Sequence, residues 1–312
     1  MCIRDIVILA IFLCVAFYEL LGICVAYKKQ PEVSNTTKKE TKNGSWNECS
    51  ENTERAVIIE KNPEALLQRV RLIKNAKKEI ILSTFAFQSD ESGKLILGAL
   101  HDAADRGVHI RLLVDGMESW IDMEGNPYFY GLSSHENVEI KLYNKANPLK
   151  PWKMMGRMHD KYLIADGKRY ILGGRNTHNY FLGDFPGHKN YDRDVLVVCD
   201  EPEKENSVNQ LLEYFETIWE QEDSGYFHDN KKLANRKSVK NAVLELQNGY
   251  QKYFEENKER ICDTDYTDET FETEKIALVS NPIHTGSKEP VVWYQLGELM
   301  KNAKNRVTVS YT

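Results

Sequence analysis

A histidine and a lysine two residues apart, His159 and Lys161, head six positions whose types suit phosphodiester chemistry. His159, Lys161, Asp166, Gly173, Gly174 and Asn176 all fall within the eighteen residues HDKYLIADGKRYILGGRN. An imidazole attacking phosphorus needs the negative charge that builds there to be neutralised, and an ammonium group with an amide donor does this without a metal. A histidine and a lysine together offer only one metal ligand, so the pattern does not read as a zinc site. At about one chance in twenty per position, an accidental match somewhere in the chain has odds on the order of 10⁻⁵. The plain alternative is a hairpin that happens to carry a histidine.

The elements that must position these groups can be read around them. Residues 158–165 have the pattern of a strand, in which side chains two apart share a face. His159 and Lys161 would then project together while Tyr162 and Ile164 face the other way. Asp166-Gly167 is a tight-turn dipeptide that returns the chain into residues 169–172 as a hairpin. Gly173-Gly174 would let backbone approach a ligand closely, and Asn176 would supply an amide donor to an anionic oxygen. Asp166 is expected to shape the turn and support its neighbours.

At these residues the chain resembles the phospholipase D superfamily, whose motif His-x-Lys-(x)4-Asp-(x)6-Gly-Gly/Ser-x-Asn is matched at every fixed position. Arg157-Met158 before the histidine, the run GGRN, the residues Tyr180-Phe181-Leu182-Gly183-Asp184, and Tyr191-Asp192-Arg193-Asp194-Val195 resemble the bacterial cardiolipin synthase-like branch. The resemblance implies an α/β/α sandwich and a site without cofactor or metal. Its catalytic set would be His159, Lys161 and Asp166, with substrate phosphate held by Lys161, Asn176, Gly174 and Arg175. For Arg175 a surface ion pair is an equal alternative. Asp192 or Asp194 would be a supporting acid that orients His159 or a neighbour. In that family two such motifs face each other across one cleft. One histidine becomes a covalent phosphohistidine and the other protonates the leaving alcohol; water then gives hydrolysis, and an acceptor alcohol gives phosphatidyl transfer.

A second copy of the fold opens near the end of the sequence. Residues 68–83 (QRVRLIKNAKKEIILS) align with residues 295–310 (QLGELMKNAKNRVTVS), sharing Lys-Asn-Ala-Lys, at an offset of 295 − 68 = 227. The same offset places a partner histidine near 159 + 227 = 386, beyond Thr312. The expectation is therefore one half of a site, with a truncated second half over residues 291–312. A longer chain or a homodimer would complete it. Chance likeness of two amphipathic helix-then-strand segments is the competing explanation.

Composition bounds the rest. At 41% hydrophobic and 28% charged the chain can bury a sizeable core. A net charge of −6 disfavours nucleic acid as a partner, since phosphate backbones call for a basic surface. The six cysteines are scattered and suggest no disulfide framework. Residues 6–27 are apolar apart from Glu19 and long enough to cross a bilayer. They read as a single-pass membrane anchor after a tip of residues 1–5; a cleaved signal peptide fits less well, because Arg4 is offset by Asp5 and no small-x-small site follows. Which side of the membrane holds the body stays open, since lysines 28, 29, 38, 39 and 42 favour the cytoplasm while single N-terminal anchors often leave their bodies outside.

Residues 28–55 read as a flexible polar stalk, 56–222 as the catalytic half, and 223–290 as a connecting helix with loops. Within the catalytic half, helices are expected over 62–76, 93–106 and 203–220, and strands over 79–85, 108–114, 138–142 and 193–199; a charged helix follows over 239–260 and a last strand over 307–311. Strands alternating with helices argue for an α/β sandwich. Trp152, Met154 and Met155 among the cations of residues 150–158 suit either a lipid headgroup surface or packing of an irregular loop. His178, His188 and His284 read as ordinary loop histidines. Three functions stay open: a membrane-anchored phosphatidyltransferase or phospholipase D acting on phospholipid with water or an alcohol as acceptor, a single-motif nuclease-like homodimer, and a catalytically silent fragment.

Overall fold

Period-2 alternation organises the larger of two compact units, residues 47–143 with 158–278 and 310–312, in the computed structural model of the chain. The structure describes residues 3–26, 28, 30–44, 54–199, 206–228 and 230–307. In chain order the elements of this unit begin with β1 (Glu54–Ile59), and the helices are numbered after α1 (Ile3–Ala26) and α2 (Asn35–Asn43) of the other unit. They continue as α3 (Asn62–Asn75), β2 (Glu79–Thr84), α4 (Glu91–Asp105), β3 (His109–Asp115), α5 (Gly116–Asp122), α6 (Pro127–Ser133) and β4 (Val138–Tyr143). The hairpin β5 (Tyr162–Ala165) and β6 (Arg169–Gly173) comes next, then β7 (Asp194–Cys199), α7 (Ser207–Trp219) and β8 (Ser224–Tyr226). Last are α8 (Lys237–Glu256), α9 (Lys258–Cys262) and β9 (Phe271–Glu272).

The strands form one mixed sheet in the order β8-β4-β3-β2-β5-β6-β7-β1-β9. β2, β3 and β4 run parallel, joined by crossovers that include α4 and α6, and β5 enters antiparallel beside β2. Ile80, Leu82, Ile110, Leu112, Ile140, Leu142, Leu163 and Ala165 share one core with residues of α3, α4 and α8. Their neighbours in sequence turn to the other face, where Tyr162 meets Tyr214 and Phe215 of α7 edge-on. The Arg111 guanidinium lies 4.8 Å from the Phe215 ring and pairs with Glu216 at 2.6 Å. Helices thus cover both faces, the α/β sandwich expected.

The helix expected to connect two halves is a packed part of this unit. α8 buries Val239, Ala242, Leu246, Tyr250 and Phe254, an i, i+3/i+4 stripe. It lies so close to α4 that a Cβ at Gly98 would come within 2.6 Å of the Leu246 carbonyl oxygen and 2.7 Å of Tyr250 Cβ. The strand β1 was not expected at all: Glu54–Ile59 pairs with β7 along its whole length. The expected helix start at residue 203 and the last expected strand at 307–311 fall mostly outside the described residues.

The second unit comprises residues 1–46, 144–157 and 279–309. α1 is long and apolar enough to cross a membrane. Part of the stretch read as a stalk is helical instead. Ser34 Oγ accepts the Thr37 N–H at 3.1 Å, and Gly44, at φ 77°, closes α2 by donating to Thr41 O at 3.2 Å. A capped, glycine-terminated turn needs no apolar period, which is why the polar composition concealed it. α10 (Val291–Asn302) ends on the asparagine of the second Lys-Asn-Ala-Lys, as α3 ends on the first.

Replacing Gly98 by valine should lower stability by about 1–3 kcal/mol through overpacking of α4 on α8, read as a fall in the urea unfolding midpoint. An unchanged midpoint would mean that α8 is not held against α4.

Candidate active site

Asp115 fixes the chain that enters the motif. It ends β3, is buried, and accepts the Met117 and Glu118 N–H groups on Oδ1 at 3.1 Å each, capping α5. Its Oδ2 accepts the Met158 N–H at 3.0 Å. The strand expected from residue 158 therefore starts only at Tyr162, because the backbone ahead of it is committed to Asp115 rather than to a strand partner. In that lead-in segment Lys161 folds back, its Nζ donating to the His159 carbonyl at 2.7 Å. Phe85, just past β2, serves both groups. Its ring lies 4.7 Å from the His159 imidazole at an interplanar angle of 59°, and 5.2 Å from Lys161 Nζ.

The imidazole is exposed while Lys161 is 5% exposed. Burial pushes the Lys161 ammonium down to about 8; the carboxylates of Asp160, Asp192 and Asp115 act in the opposite sense. Asp160 accepts the Tyr214 hydroxyl at 2.8 Å. Burial raises that phenol's pKa, so Tyr214 remains a donor.

The two glycines answer to carboxylates of the chain itself. A Cβ on Gly173 would strike Asp194 Oδ1 and come within 2.6 Å of the Arg193 carbonyl oxygen, and one on Gly174 would strike the Asp192 carboxylate. Close approach to a ligand, the reason expected for this pair, gives way to close approach of residues 192–194. Asp194 has a side chain with no exposure and pairs with Arg69 at 2.9 Å and Arg175 at 3.3 Å. Arg175 also donates to Asn62 Oδ1 at 3.1 Å, Ile59 O at 3.1 Å, Glu60 O at 2.6 Å and Asp192 O. Every nitrogen of the guanidinium is thereby engaged, which corrects the expectation that Arg175 holds phosphate or lies at the surface. Asp194 is likewise corrected from a supporting acid of His159 to the partner of two arginines. Asp192 differs: it is half-buried and near enough to Lys161 to favour the ammonium form.

Asn176 accepts the Ala86 N–H on Oδ1 at 3.3 Å, which leaves its amide hydrogens for donation. The following Thr177 donates to Ala86 O at 3.0 Å and accepts the Gln88 N–H at 3.2 Å, tying this segment to the one that carries Phe85. Asp166 is separated from the rest. It lies at the opposite end of β5, roughly 16 Å along extended chain from Lys161. There its carboxylate accepts the backbone N–H groups of Lys77, Lys78 and Glu79 at 2.8, 2.7 and 3.0 Å. With φ of 55° at Asp166 and 61° at Gly167 it forms the turn expected, and its place in a catalytic set is corrected to a structural one. His178 lies in a loop, as expected, but is buried against Tyr180 and Phe181, and burial holds its imidazole below the usual value against the pull of Asp90. His188 and His284 are exposed, as expected.

Phe85, Tyr214 and Arg69 carried no motif signal, and Asp115 carried little. Its faint signal was an Asp-Gly pair at the carboxyl end of an expected parallel strand, where ligand sites of such sheets gather.

Residues 69–219 match the family described as cardiolipin synthase, PLD-like domain. This stretch is a phospholipase D-like domain. Members of that family are phosphodiesterases and phosphatidyltransferases. An uncharacterized protein of Helicobacter pylori is 31% identical over 212 residues, covering 63% of this chain and 39% of its own length. Cardiolipin synthase C of Escherichia coli is 29% identical over 171 residues, covering 50% of this chain and 34% of its own length. Among solved structures, phosphatidylserine synthase from Haemophilus influenzae is similar at 18% identity and a TM-score of 0.48, over 71% of this chain and 48% of that one. The chain thus spans about two fifths or less of the length of the curated relatives it matches.

In the phospholipase D-like domain, Asp194→Ala should cost about 3–5 kcal/mol, because it leaves two buried guanidinium groups with unmet charge. His159→Ala, at an exposed position, should stay within about 0.5 kcal/mol of the parent. Thermal or urea unfolding separates the two, and equal losses would contradict the division between scaffold and surface groups.

Proposed function

We propose that the chain is a membrane-anchored phospholipase D-type phosphodiesterase or phosphatidyltransferase acting on phospholipids through a phosphohistidine. The observation that carries this reading is an exposed imidazole held by Phe85 beside a buried ammonium group. His159 is the attacking group or the proton donor. As nucleophile, its nitrogen bonds to phosphorus while the phosphorus–oxygen bond to the leaving alcohol breaks, and that oxygen takes a proton from a second histidine. The second histidine comes from a further motif, in another segment or another copy of the chain. Water, or an acceptor alcohol, then displaces His159 from phosphorus and gives up its proton to the same group.

Lys161 and the amide hydrogens of Asn176 are placed in this scheme against the non-bridging oxygens, where charge grows in the transition state. Asp192 and Asp115 keep the lysine charged against its burial. Asp166 and Gly174 act at a distance, by holding the hairpin and admitting Asp192. Lipid is favoured over nucleic acid as substrate by the 24-residue apolar helix α1 and by the net charge of −6.

The test uses the full chain in anionic phospholipid nanodiscs, with release of headgroup alcohol as the readout. His159→Ala should lower turnover by roughly 10²–10⁴-fold and EDTA should leave it unchanged. A variant as active as the parent would remove the motif from the chemistry. The ammonium of Lys161 gives up its proton as pH rises through about 8, so turnover should fall on the alkaline side of that value. Lys161→Arg, whose charge persists, should move this fall upward by about one pH unit or more. An alkaline limb that stays in place in that variant would assign it to another group.

A further inference from the structure

The smaller unit contains an arrangement that neither the motif nor the fold requires. Residues 144–157 run beside the C-terminal half of α1, within the same unit. Tyr18 of α1 donates its hydroxyl to the Leu149 carbonyl at 2.9 Å. One turn on, a Cβ at Gly22 would strike the Pro151 ring, so the glycine lets the 3₁₀ turn Pro151–Lys153 lie directly on the helix. The half-covered residues of α1, Ala16, Glu19, Gly22, Ile23 and Ala26, form the single stripe such a contact needs. The rest of α1 is exposed, including Phe12, Leu13, Phe17, Leu20, Leu21 and Val25.

The loop turns apolar groups outward beside that surface. Leu149 is 78% exposed, Met155 57% and Trp152 45%. Packing of an irregular gap, one of the two readings of the Trp-Met stretch, therefore fails to account for Trp152, Leu149 and Met155. Lys150 is exposed among them. Tyr18 and Gly22 stand about 12 and 6 Å from the end of α1 at 1.5 Å per residue. If α1 crosses a bilayer, that is the depth of the boundary between acyl chains and headgroups, where tryptophan and lysine are favoured together.

We propose that residues 144–157 form a membrane-interface element that inserts Leu149, Trp152 and Met155 at the headgroup boundary of the leaflet reached by the C-terminal end of α1. The occupant of this apolar surface is the lipid bilayer, by continuity with the lipid-facing side of α1 and by the match of Lys150 to anionic headgroups. The inference rests on the anchoring of α1 in the proposed function, but not on catalysis. It assigns the loop a role in lipid engagement, since only Met158 separates Arg157 from His159 in the sequence.

The experiment reconstitutes the full chain in phosphatidylcholine–phosphatidylglycerol vesicles whose acyl chains are brominated at the 6,7 or the 11,12 positions. The chain has five tryptophans, so the Trp152 signal is taken as the difference between the parent and Trp152→Phe. This difference should be quenched by the 6,7 lipid at least twofold more than by the 11,12 lipid, and should resist aqueous iodide. A difference signal quenched by iodide and by neither lipid overturns the proposal. In a second arm, Leu149→Asn/Met155→Ser should raise iodide access to Trp152 by about twofold or more, and no change would also count against it. Bromolipid quenching needs no turnover, so a chain that inserts its loop but releases no alcohol would refute the catalytic reading alone. If α1 itself is not in the bilayer, carbonate extraction of the vesicles releases the protein and both the anchor and this inference fall.

Discussion

A carboxylate with no solvent, Asp194, is tolerable only because two guanidinium groups meet it, and the geometry of the motif depends on that compensation. The buried charge cannot be left unpaired without a penalty of several kcal/mol, so the three residues define one another's positions. Arg69 brings in α3, and Arg175 brings in the backbone of Ile59, Glu60 and Asp192. The glycine pair follows from the same cluster, since side chains at 173 and 174 would collide with residues 192–194. Asn176 is then delivered to Ala86 by chain continuity from Arg175. Polar groups that hold a scaffold and polar groups that face outward are thus interleaved residue by residue.

This interleaving explains what was legible in the sequence. The spacing of His159, Lys161 and Asn176 pointed to the candidate set beside Phe85 and Ala86, and the alternating elements from Asn62 to Cys199 gave the sandwich because each buries an amphipathic face whose period survives in the sequence. Arg175 and Asp194 look from their types alone like exposed phosphate or acid groups. Their burial is set by partners 100 or more residues away in the chain, Arg69 and Asn62, and no local pattern records such a pairing. β1 was missed for a related reason: its residues are only half-alternating, and its identity as a strand comes from pairing with β7.

The electrostatics of Lys161 show how the same scaffold conditions the motif's lysine. Burial favours loss of the Lys161 proton and the surrounding carboxylates oppose it, of which Asp115 and Asp160 are themselves occupied, one by backbone N–H groups and one by Tyr214. Those hydrogen bonds keep the carboxylates in place, and so act on the ammonium at second hand. Phe85 adds an aromatic face to the ammonium and a tilted ring contact to the imidazole, which orders both without consuming a hydrogen-bonding site on either.

The turn at Asp166 and Gly167 gives the four unspecified residues of the motif a mechanical meaning. They are β5 itself, Tyr162–Ala165, pinned at one end by the Asp166 carboxylate on the loop ahead of β2 and at the other by Asp115 on Met158. The interval is therefore a ruler one strand long. One residue more or fewer would reverse the parity of β5 between its two pinned ends, so that the side chains now in the core would turn to the opposite face of the sheet. The invariance implied by a pattern written as (x)4 is one of length and handedness, and the residues that fill it are constrained only by which face of the sheet each must pack.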